Sequence, residues 1–347
     1  LAGAPAPDRV AEQGLIVPVA VILAGGLGTR MRPLTDLRAK PALLVAGTPI
    51  VGHQLRWLAS AGIRRVVIAT SYRAKDLRTV LDDGSEFGVA VSYVHEAEPL
   101  GTGGALALAT RAMDPHQAVV VLNGDQLTGH DLQAHLLAFA DGGVAVTIHA
   151  RRVDDARAFG LLNLDGDQVR GFREKPTEPV PGVVNAGTYI LRAGVLRDVP
   201  SDTVVSLERE VFPRLIADGF VVTAYLEDAY CLDVGSPRAL LQANRDAVAR
   251  TGATARVDGV VASSATVDGH SYVGTGAAVG ADAVVHGSVL MPGCVIGDGT
   301  KIERSIVAQT AVVAEGVRLQ DNVIGEGARV SSSLEPGAVV PTGAVIG

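Results

Sequence analysis

From about Val257 to Gly347 an aliphatic side chain returns every six positions, at Val267, Val273, Val279 and Val285. Glycine follows it in Val273-Gly274, Val279-Gly280, Ile296-Gly297, Ile324-Gly325 and Ile346-Gly347. A fixed period marks a repeat architecture, in which each unit buries its apolar face only against its neighbours. A six-residue period predicts a parallel β-helix, each hexad forming one flat side of a triangular coil with its aliphatic residue inward. Some 90 residues make roughly five coils of three hexads. The register slips near Met291–Ile296 and after Ile306. A valine-rich sandwich is the rival, and the hexad phase argues against it. Tyr272 is the one aromatic residue of this region and Lys301 its one lysine.

Residues 19–236 follow a different rule. Short β-branched runs at Val19–Leu23, Val66–Thr70, Val89–Val94 and Val119–Leu122 alternate with helical stretches at Ile50–Ala61, Ala74–Leu81 and Gly103–Ala112. Further strands are expected at Val144–Ala150, Leu161–Leu164, Val169–Phe172, Val184–Leu191 and Val221–Tyr225. Pro49 suits a first helical position, and Pro213 should kink a helix over Leu207–Ala217. The alternation predicts an α/β, Rossmann-like, mostly parallel mixed sheet with helices on both faces. The chain therefore divides into an N-terminal extension (1–18), an α/β domain (19–236), a linker helix (237–256) and the β-helix (257–347).

The first strand runs into Leu23-Ala24-Gly25-Gly26-Leu27-Gly28-Thr29-Arg30-Met31-Arg32-Pro33-Leu34-Thr35, with Lys40-Pro41 shortly after. Clustered glycines at a strand end let the backbone turn tightly and present its N–H groups to one point, a site for phosphate. Arg30 and Lys40 add full positive charge. The string is not a P-loop, and Met31 stands where a dinucleotide fingerprint needs its third glycine. A polyphosphate other than a dinucleotide is the expected ligand.

Bulk properties remove several classes. The net charge of −7 argues against nucleic-acid partners, whose footprint is basic. No apolar run reaches the length of a membrane span. Leu1–Pro18 lacks the basic-then-apolar layout of a signal peptide, and Cys231 and Cys294 read as separate reduced thiols, so a cytoplasmic location is expected. His130 and His135 lie five apart, wrong for one helix face, and read as surface residues.

The string LAGGLGTRMRPLT…KP resembles the signature of sugar-1-phosphate nucleotidylyltransferases, and other segments extend the resemblance. Asn123-Gly124-Asp125 follows a predicted strand, where open α/β sheets bind ligands. The resemblance makes Asp125 a ligand of Mg2+, and Asp233, in Leu232-Asp233-Val234-Gly235, the second. Two carboxylates plus phosphate oxygens suit that ion. In Glu174-Lys175-Pro176 the resemblance places Lys175 on the sugar phosphate and Glu174 on sugar hydroxyls, with Asn185 and Gly160 at the sugar. Leu23, Ala24, Gly25, Gly26, Gly28, Thr29 and Gly124 fall to the nucleotide, and Arg30, Lys40 and Lys175 to the chemistry.

Glu96-Ala97-Glu98-Pro99-Leu100-Gly101-Thr102-Gly103-Gly104 resembles guanylyltransferases in particular. Guanine offers donors at N1 and its exocyclic amine, so a carboxylate is a fitting partner. Glu98 is preferred over Glu96, with Gly101 and Thr102 beside it. The same turn also reads as a helix start with Thr102 as cap. Ser206-Leu207-Glu208-Arg209-Glu210-Val211-Phe212-Pro213 is similar to a segment of mannose-1-phosphate guanylyltransferases and reads as a capped structural helix. Tyr230-Cys231-Leu232 departs from that family, which often has Trp before the D-x-G, and leaves the sugar open between a hexose, a heptose and a cyclitol.

The resemblance implies transfer of a nucleotidyl group from a nucleoside triphosphate, GTP favoured, to a sugar or cyclitol 1-phosphate with release of pyrophosphate. UTP, dTTP or ATP, or a regulatory subunit that only binds nucleotide sugars, are the alternatives. The family often carries a left-handed β-helix. Here that region holds only His270 and His286 and no long insertion, so it reads as a spacer or homo-oligomer interface and not an acyltransferase.

Overall fold

The computed structural model describes residues 17–71, 73–140, 143–200 and 202–347. The expected extension at 1–18 lies outside the described residues except for Val17 and Pro18. The chain forms two compact units: one from the residues up to Gly26 with Val51–Cys231, the other from Leu27–Ile50 with Leu232–Gly347. The chain passes between them at Gly26–Leu27, inside the glycine loop.

The first unit is built on nine strands: β1 (Val19–Leu23), β2 (Arg65–Thr70), β3 (Ala90–His95), β4 (Ala118–Asn123), β5 (Val144–Val153), β6 (Gly160–Asp165), β7 (Gln168–Glu174), β8 (Gly182–Arg192) and β9 (Val221–Leu226). Their order is β3-β2-β1-β4-β8-β5-β9-β7-β6. β1 pairs in parallel with β2 and β4, and β2 with β3. β8 then runs antiparallel to β4, β5 and β6. The mixed sheet expected from the alternation is therefore present. Val19–Ile22 and Ala118–Leu122 are buried throughout, as unbroken apolar runs must be in strands covered on both faces.

Helices α1 (Ile50–Ser60), α2 (Ala74–Leu81), α3 (Gly101–Thr110), α4 (Leu132–Ala140) and α5 (Phe212–Ala217) belong with this sheet. Two local expectations fail. Pro49 sits in a short strand opposite Leu44, and the helix begins one residue later, the Ile50 N–H being taken by Leu43 O at 2.9 Å. Leu207–Ala217 is helical from end to end as expected, but not as one uniform α-helix. Leu207–Val211 forms a π turn that runs directly into α5, which starts at Phe212 with Pro213 in its first turn.

The second unit holds α6 (Pro237–Ala249) and a parallel β-helix of three sheets, two of six strands and one of four. This is consistent with the left-handed β-helix expected. Its interior is the aliphatic ladder Val273, Leu290, Val307, Ile324 and Val340, with Val279, Ile296, Val313 and Val330 on the next side and Val285, Ile302 and Leu319 on the third. The slip of the hexads has a simple cause. Val285 pairs with Ile302 and Ile302 with Leu319, so these coils are one residue short of three hexads, and the last, pairing Ile324 with Val340, is two short. Strand pairing keeps the same face inward and a corner absorbs the lost residue. At one corner Ser271, Ser288 and Ser305 are buried and each hydroxyl accepts the N–H of the next rung, the last from Asn322, at 3.0–3.1 Å.

Leu27–Ile50 is fastened within this unit. Arg38 makes a two-pronged pair with Glu326, Nε and Nη2 each 3.0 Å from a carboxylate oxygen. Thr342 Oγ1 reaches Asp36 Oδ2 at 3.1 Å. Fully buried Asn244 of α6 accepts the Ala46 N–H at 2.8 Å and donates to Leu44 O and Leu240 O. Replacing Asn244 with Ala strands the Ala46 donor and the Leu44 acceptor. The expected loss is about 2–3 kcal/mol of stability, read as a lower denaturant midpoint at unchanged slope.

Candidate active site

The first unit gathers its site residues by strand register. β1 and β4 end side by side, Leu23 opposite Asn123. The Gly124 N–H donates to Leu23 O at 2.9 Å, and the Ala24 N–H to Ala69 O at 2.7 Å. Ala24 is buried, and Asp125 is half-buried in the turn after β4. β8 lies on the other side of β4, Thr188 opposite Leu122, which brings Asn185 toward the same edge. Val184 of β8 stands opposite Leu161 of β6, and Gly160 is the partner of Glu174 at the end of β7. Lys175 follows in a left-handed conformation, φ 41°, its N–H donating to Phe159 O at 3.1 Å. Strand register thus sets the backbones of Gly160, Glu174 and Asn185 on neighbouring strands, with Lys175 directly after β7.

The glycines of the loop have separate causes. A Cβ on Gly25 would stand 2.7 Å from Glu96 Oε1. Gly28 has φ 65°, closed by Thr35, whose hydroxyl donates to Gly28 O at 2.8 Å. Gly26 is exposed, and among the described residues nothing lies within 4 Å of where its Cβ would be. No contact among the described residues asks for glycine there.

Glu96 and Glu98 separate clearly. Glu96 is buried at 3% exposure, its Oε2 accepting the Leu100 N–H at 3.0 Å. Burial lifts its carboxyl above the usual range, against the pull of that N–H and of His95. Glu96 therefore closes the loop from behind, while Glu98 is exposed. Gly101 has φ 69°, and its Cβ would press on Val205 O at 2.6 Å. Thr102 is not the cap of α3. Leu100 occupies that position without a side-chain bond, and the Thr102 hydroxyl turns to Glu208 and the Leu207 N–H, at 3.1 and 2.9 Å.

In the second unit, Thr29 and Arg30 open a short 3₁₀ turn, both exposed, anchored by fully buried Met31. Lys40 begins another such turn, its Cβ 3.2 Å from where a Gly28 Cβ would be. Asp233 is exposed. A Cβ on Gly235 would meet Asp233 Oδ1 at 2.9 Å and Arg30 Nη2 at 3.4 Å, so a cation and a carboxylate border one small space that only glycine leaves open. Asp125 in the first unit and Asp233 in the second are each a hard carboxylate donor, and among the described residues no cluster of three His, Cys, Asp or Glu could hold a metal ion. That donor chemistry fits Mg2+, which takes few protein groups and fills its shell with water and phosphate oxygens.

The nucleotidyl transferase family matches residues 19–250, and the GMPPB C-terminal domain matches residues 253–345. The chain belongs to the nucleotidyl transferase family. Mannose-1-phosphate guanylyltransferase of Mycobacterium tuberculosis is 38% identical over 299 residues, covering 82% of this chain and 83% of that one. The catalytic subunit beta of Dictyostelium discoideum mannose-1-phosphate guanylyltransferase is 36% identical over 228 residues, 64% of this chain and 62% of its own. The crystal structure of HddC from Yersinia pseudotuberculosis complexed with GMP-PN superposes with a TM-score of 0.58 at 29% identity, over 66% of this chain and 99% of that one. The resemblance read from the motifs is borne out, and this nucleotidyl transferase is a guanylyltransferase-like enzyme.

Two residues of this nucleotidyl transferase were missed by the motifs. Gln54 of α1, 2% exposed, donates to Asn123 O and Gln126 O, each at 2.7 Å. It clamps both ends of the turn that carries Asp125. Glu208 gathers three hydroxyls and is taken up below.

His130 and His135 are not surface residues. They are 2% and 0% exposed and touch each other, Nε2 to Nδ1, at 3.2 Å. His130 stacks on His149 at 3.8 Å, and His135 on Tyr225 at 4.8 Å. His130 precedes α4 and is outside its helical spacing, so the turn can fold it back onto the helix. Burial, then the neighbouring His149, pulls the two rings down to about 2 and about 3. An unfolded histidine titrates near 6.5. Below that pH the unfolded chain binds protons that the folded chain refuses, so stability falls as pH drops from about 6.5 toward 3. Each ring contributes at most about 1.4 kcal/mol per pH unit. Denaturation between pH 6.5 and 4.5 should show this slope, and His135→Phe should reduce it by about 1 kcal/mol per unit.

Proposed function

We propose that this enzyme forms a GDP-sugar and pyrophosphate from GTP and a sugar or cyclitol 1-phosphate, mannose 1-phosphate being the first candidate. The observation that carries the nucleotide part is the loop Leu23–Thr35, where Gly26 is left open while its neighbours are glycines for reasons internal to the protein. Guanine is favoured by the exposed Glu98, by relatives named mannose-1-phosphate guanylyltransferase, and by the GMP-PN complex of the structural neighbour. The sugar side rests on the Glu174-Lys175-Pro176 motif and on the strand register that sets Gly160, Glu174 and Asn185 on neighbouring strands.

The phosphate oxygen of the sugar 1-phosphate attacks the α-phosphorus in line, and pyrophosphate leaves. The nucleophile is already anionic, so the protein needs no general base; its work is to bring two anions together and balance their charge. Arg30 steadies the leaving pyrophosphate. Lys40 and Lys175 draw in the sugar phosphate. Asp125 and Asp233 would hold Mg2+, which when bound neutralises charge on the phosphates.

Pyrophosphate release over a matrix of four nucleotides and several sugar 1-phosphates tests the assignment. GTP should lead, and a clear preference for ATP, UTP or dTTP would remove the role of Glu98. Asp125→Asn should lose roughly a hundredfold or more in turnover with an unchanged circular dichroism spectrum; retained activity would remove the aspartate from the metal site. Lys175→Ala should raise the KM for sugar phosphate by roughly tenfold.

Self-association through the β-helix is part of the same reading. Val260, Ala278, Val295 and Val312 stand in one ladder, with Arg329 and Val345 completing it. Val260, Val295 and Val345 are 70%, 43% and 71% exposed. The neighbouring side presents Lys301, Arg318, His286 and Glu303 instead. Sedimentation velocity should find a homo-oligomer that Val295→Lys weakens; a monomer in the unchanged chain would refute this. Among the described residues no helix is long and apolar enough to cross a membrane, and the two separate thiols suit a reducing cytoplasm.

A further inference from the structure

Glu208 stands in the π turn Leu207–Val211, a rare local structure found disproportionately at functional positions. Its half-buried carboxylate collects three hydroxyls. Tyr189 donates to Oε1 at 2.9 Å, and Thr102 and Ser206 donate to Oε2 at 3.1 and 3.0 Å. Tyr189 is fully buried and held edge-on by Phe212 at 5.0 Å. Its oxygen also receives Asn185 Nδ2 at 2.8 Å, and Asn185 Oδ1 accepts the Gly187 N–H at 2.8 Å.

The direction of each bond follows from the two ends of the chain, the Gly187 N–H, which only donates, and Glu208. A carboxylate only accepts, so Tyr189 must spend its one proton on it. The Tyr189 oxygen can then only accept from Asn185, which agrees with the amide oxygen taking the Gly187 N–H and holds the amide nitrogen toward Tyr189. One amide hydrogen of Asn185 is left without a protein acceptor among the described residues. A two-residue bulge in β8, between Asn185 and Tyr189 where it leaves β5, makes room for this arrangement, and bulges re-aim side chains at sites. At the other end, Thr102 ties Glu208 to the start of α3, beside Glu98 and Gly101.

We propose that Glu208, acting through Tyr189, is the positioning residue that fixes Asn185 as a hydrogen-bond donor to a sugar oxygen and couples it to the nucleotide-side start of α3. This rests on the sugar role of Asn185 proposed above. It replaces the purely structural role expected for the Ser206–Pro213 segment.

Tyr189→Phe removes one hydroxyl and little else. It should raise the KM for the sugar 1-phosphate roughly tenfold, with the KM for GTP within about twofold. It should also reduce discrimination against the deoxy sugar phosphate that lacks the contacted oxygen. Glu208→Gln reaches Thr102 as well and should raise both KM values, and the double variant should be no worse than Glu208→Gln alone. Unchanged sugar KM and discrimination in Tyr189→Phe, or equal loss for both substrates, overturns the relay. An independent reading is the side-chain amide resonance of Asn185 in the free protein, assigned by Asn185→Asp. Both Glu208→Gln and Tyr189→Phe should move it, and an unmoved signal also overturns the relay. If the unaltered enzyme turns over no sugar phosphate, the proposed function fails, while this resonance still decides the relay.

Discussion

The backbone register of one strand, Gly182–Arg192, organises the first unit. Its antiparallel pairing with Ala118–Asn123 brings it beside the strand end that carries Gly124 and Asp125. Its contact with Gly160–Asp165 brings it to Gly160, and through the hairpin to Glu174 and Lys175. A slip of one residue would turn every side chain of the strand to the other face. Tyr189, Ile190 and Leu191 are buried there, so apolar burial holds the register and the register holds the polar edge. The bulge between Asn185 and Tyr189 confines the irregularity to the place where a side chain has to be aimed.

The second unit answers a different need. The segment with Arg30 and Lys40 lacks a regular element of its own longer than a short turn, so it cannot be rigid by itself. It is fastened through Asn244, through the two-pronged Arg38–Glu326 pair and through Thr342. Buried hydrogen bonds to backbone are the stronger part of this, since leaving a buried donor unpaired costs more than a half-exposed ion pair contributes. The β-helix thereby has a use beyond spacing: its later coils carry Glu326 and Thr342, which hold the charged part of the loop.

Much of this was legible in the chain. The hexads announced the β-helix, and the alternation announced the mixed sheet, because both are local periodicities repeated many times. The coil shortened by one residue defeats a strict hexad count, since pairing between coils, not spacing along the chain, keeps Ile302 and Leu319 inward. His130 and His135 misled because spacing rules speak only within a helix, and the contact between them crosses a turn. Glu96 and Glu98 are alike in sequence; only burial tells that one supports the loop and the other faces outward.

The sequence by itself determined the family and the class of enzyme, and with them the site residues to expect, because glycine clusters and a Glu-Lys-Pro string are local patterns written in consecutive letters. Tertiary structure alone decided which polar residues serve the others. Gln54 beneath Asp125 and Glu208 behind Tyr189 and Asn185 carry no motif of their own. Their roles are hydrogen bonds across 69 to 72 and 19 to 106 residues of chain. Only folding brings such partners within 3.1 Å, and only then does a carboxylate's inability to donate set the direction of every bond around it.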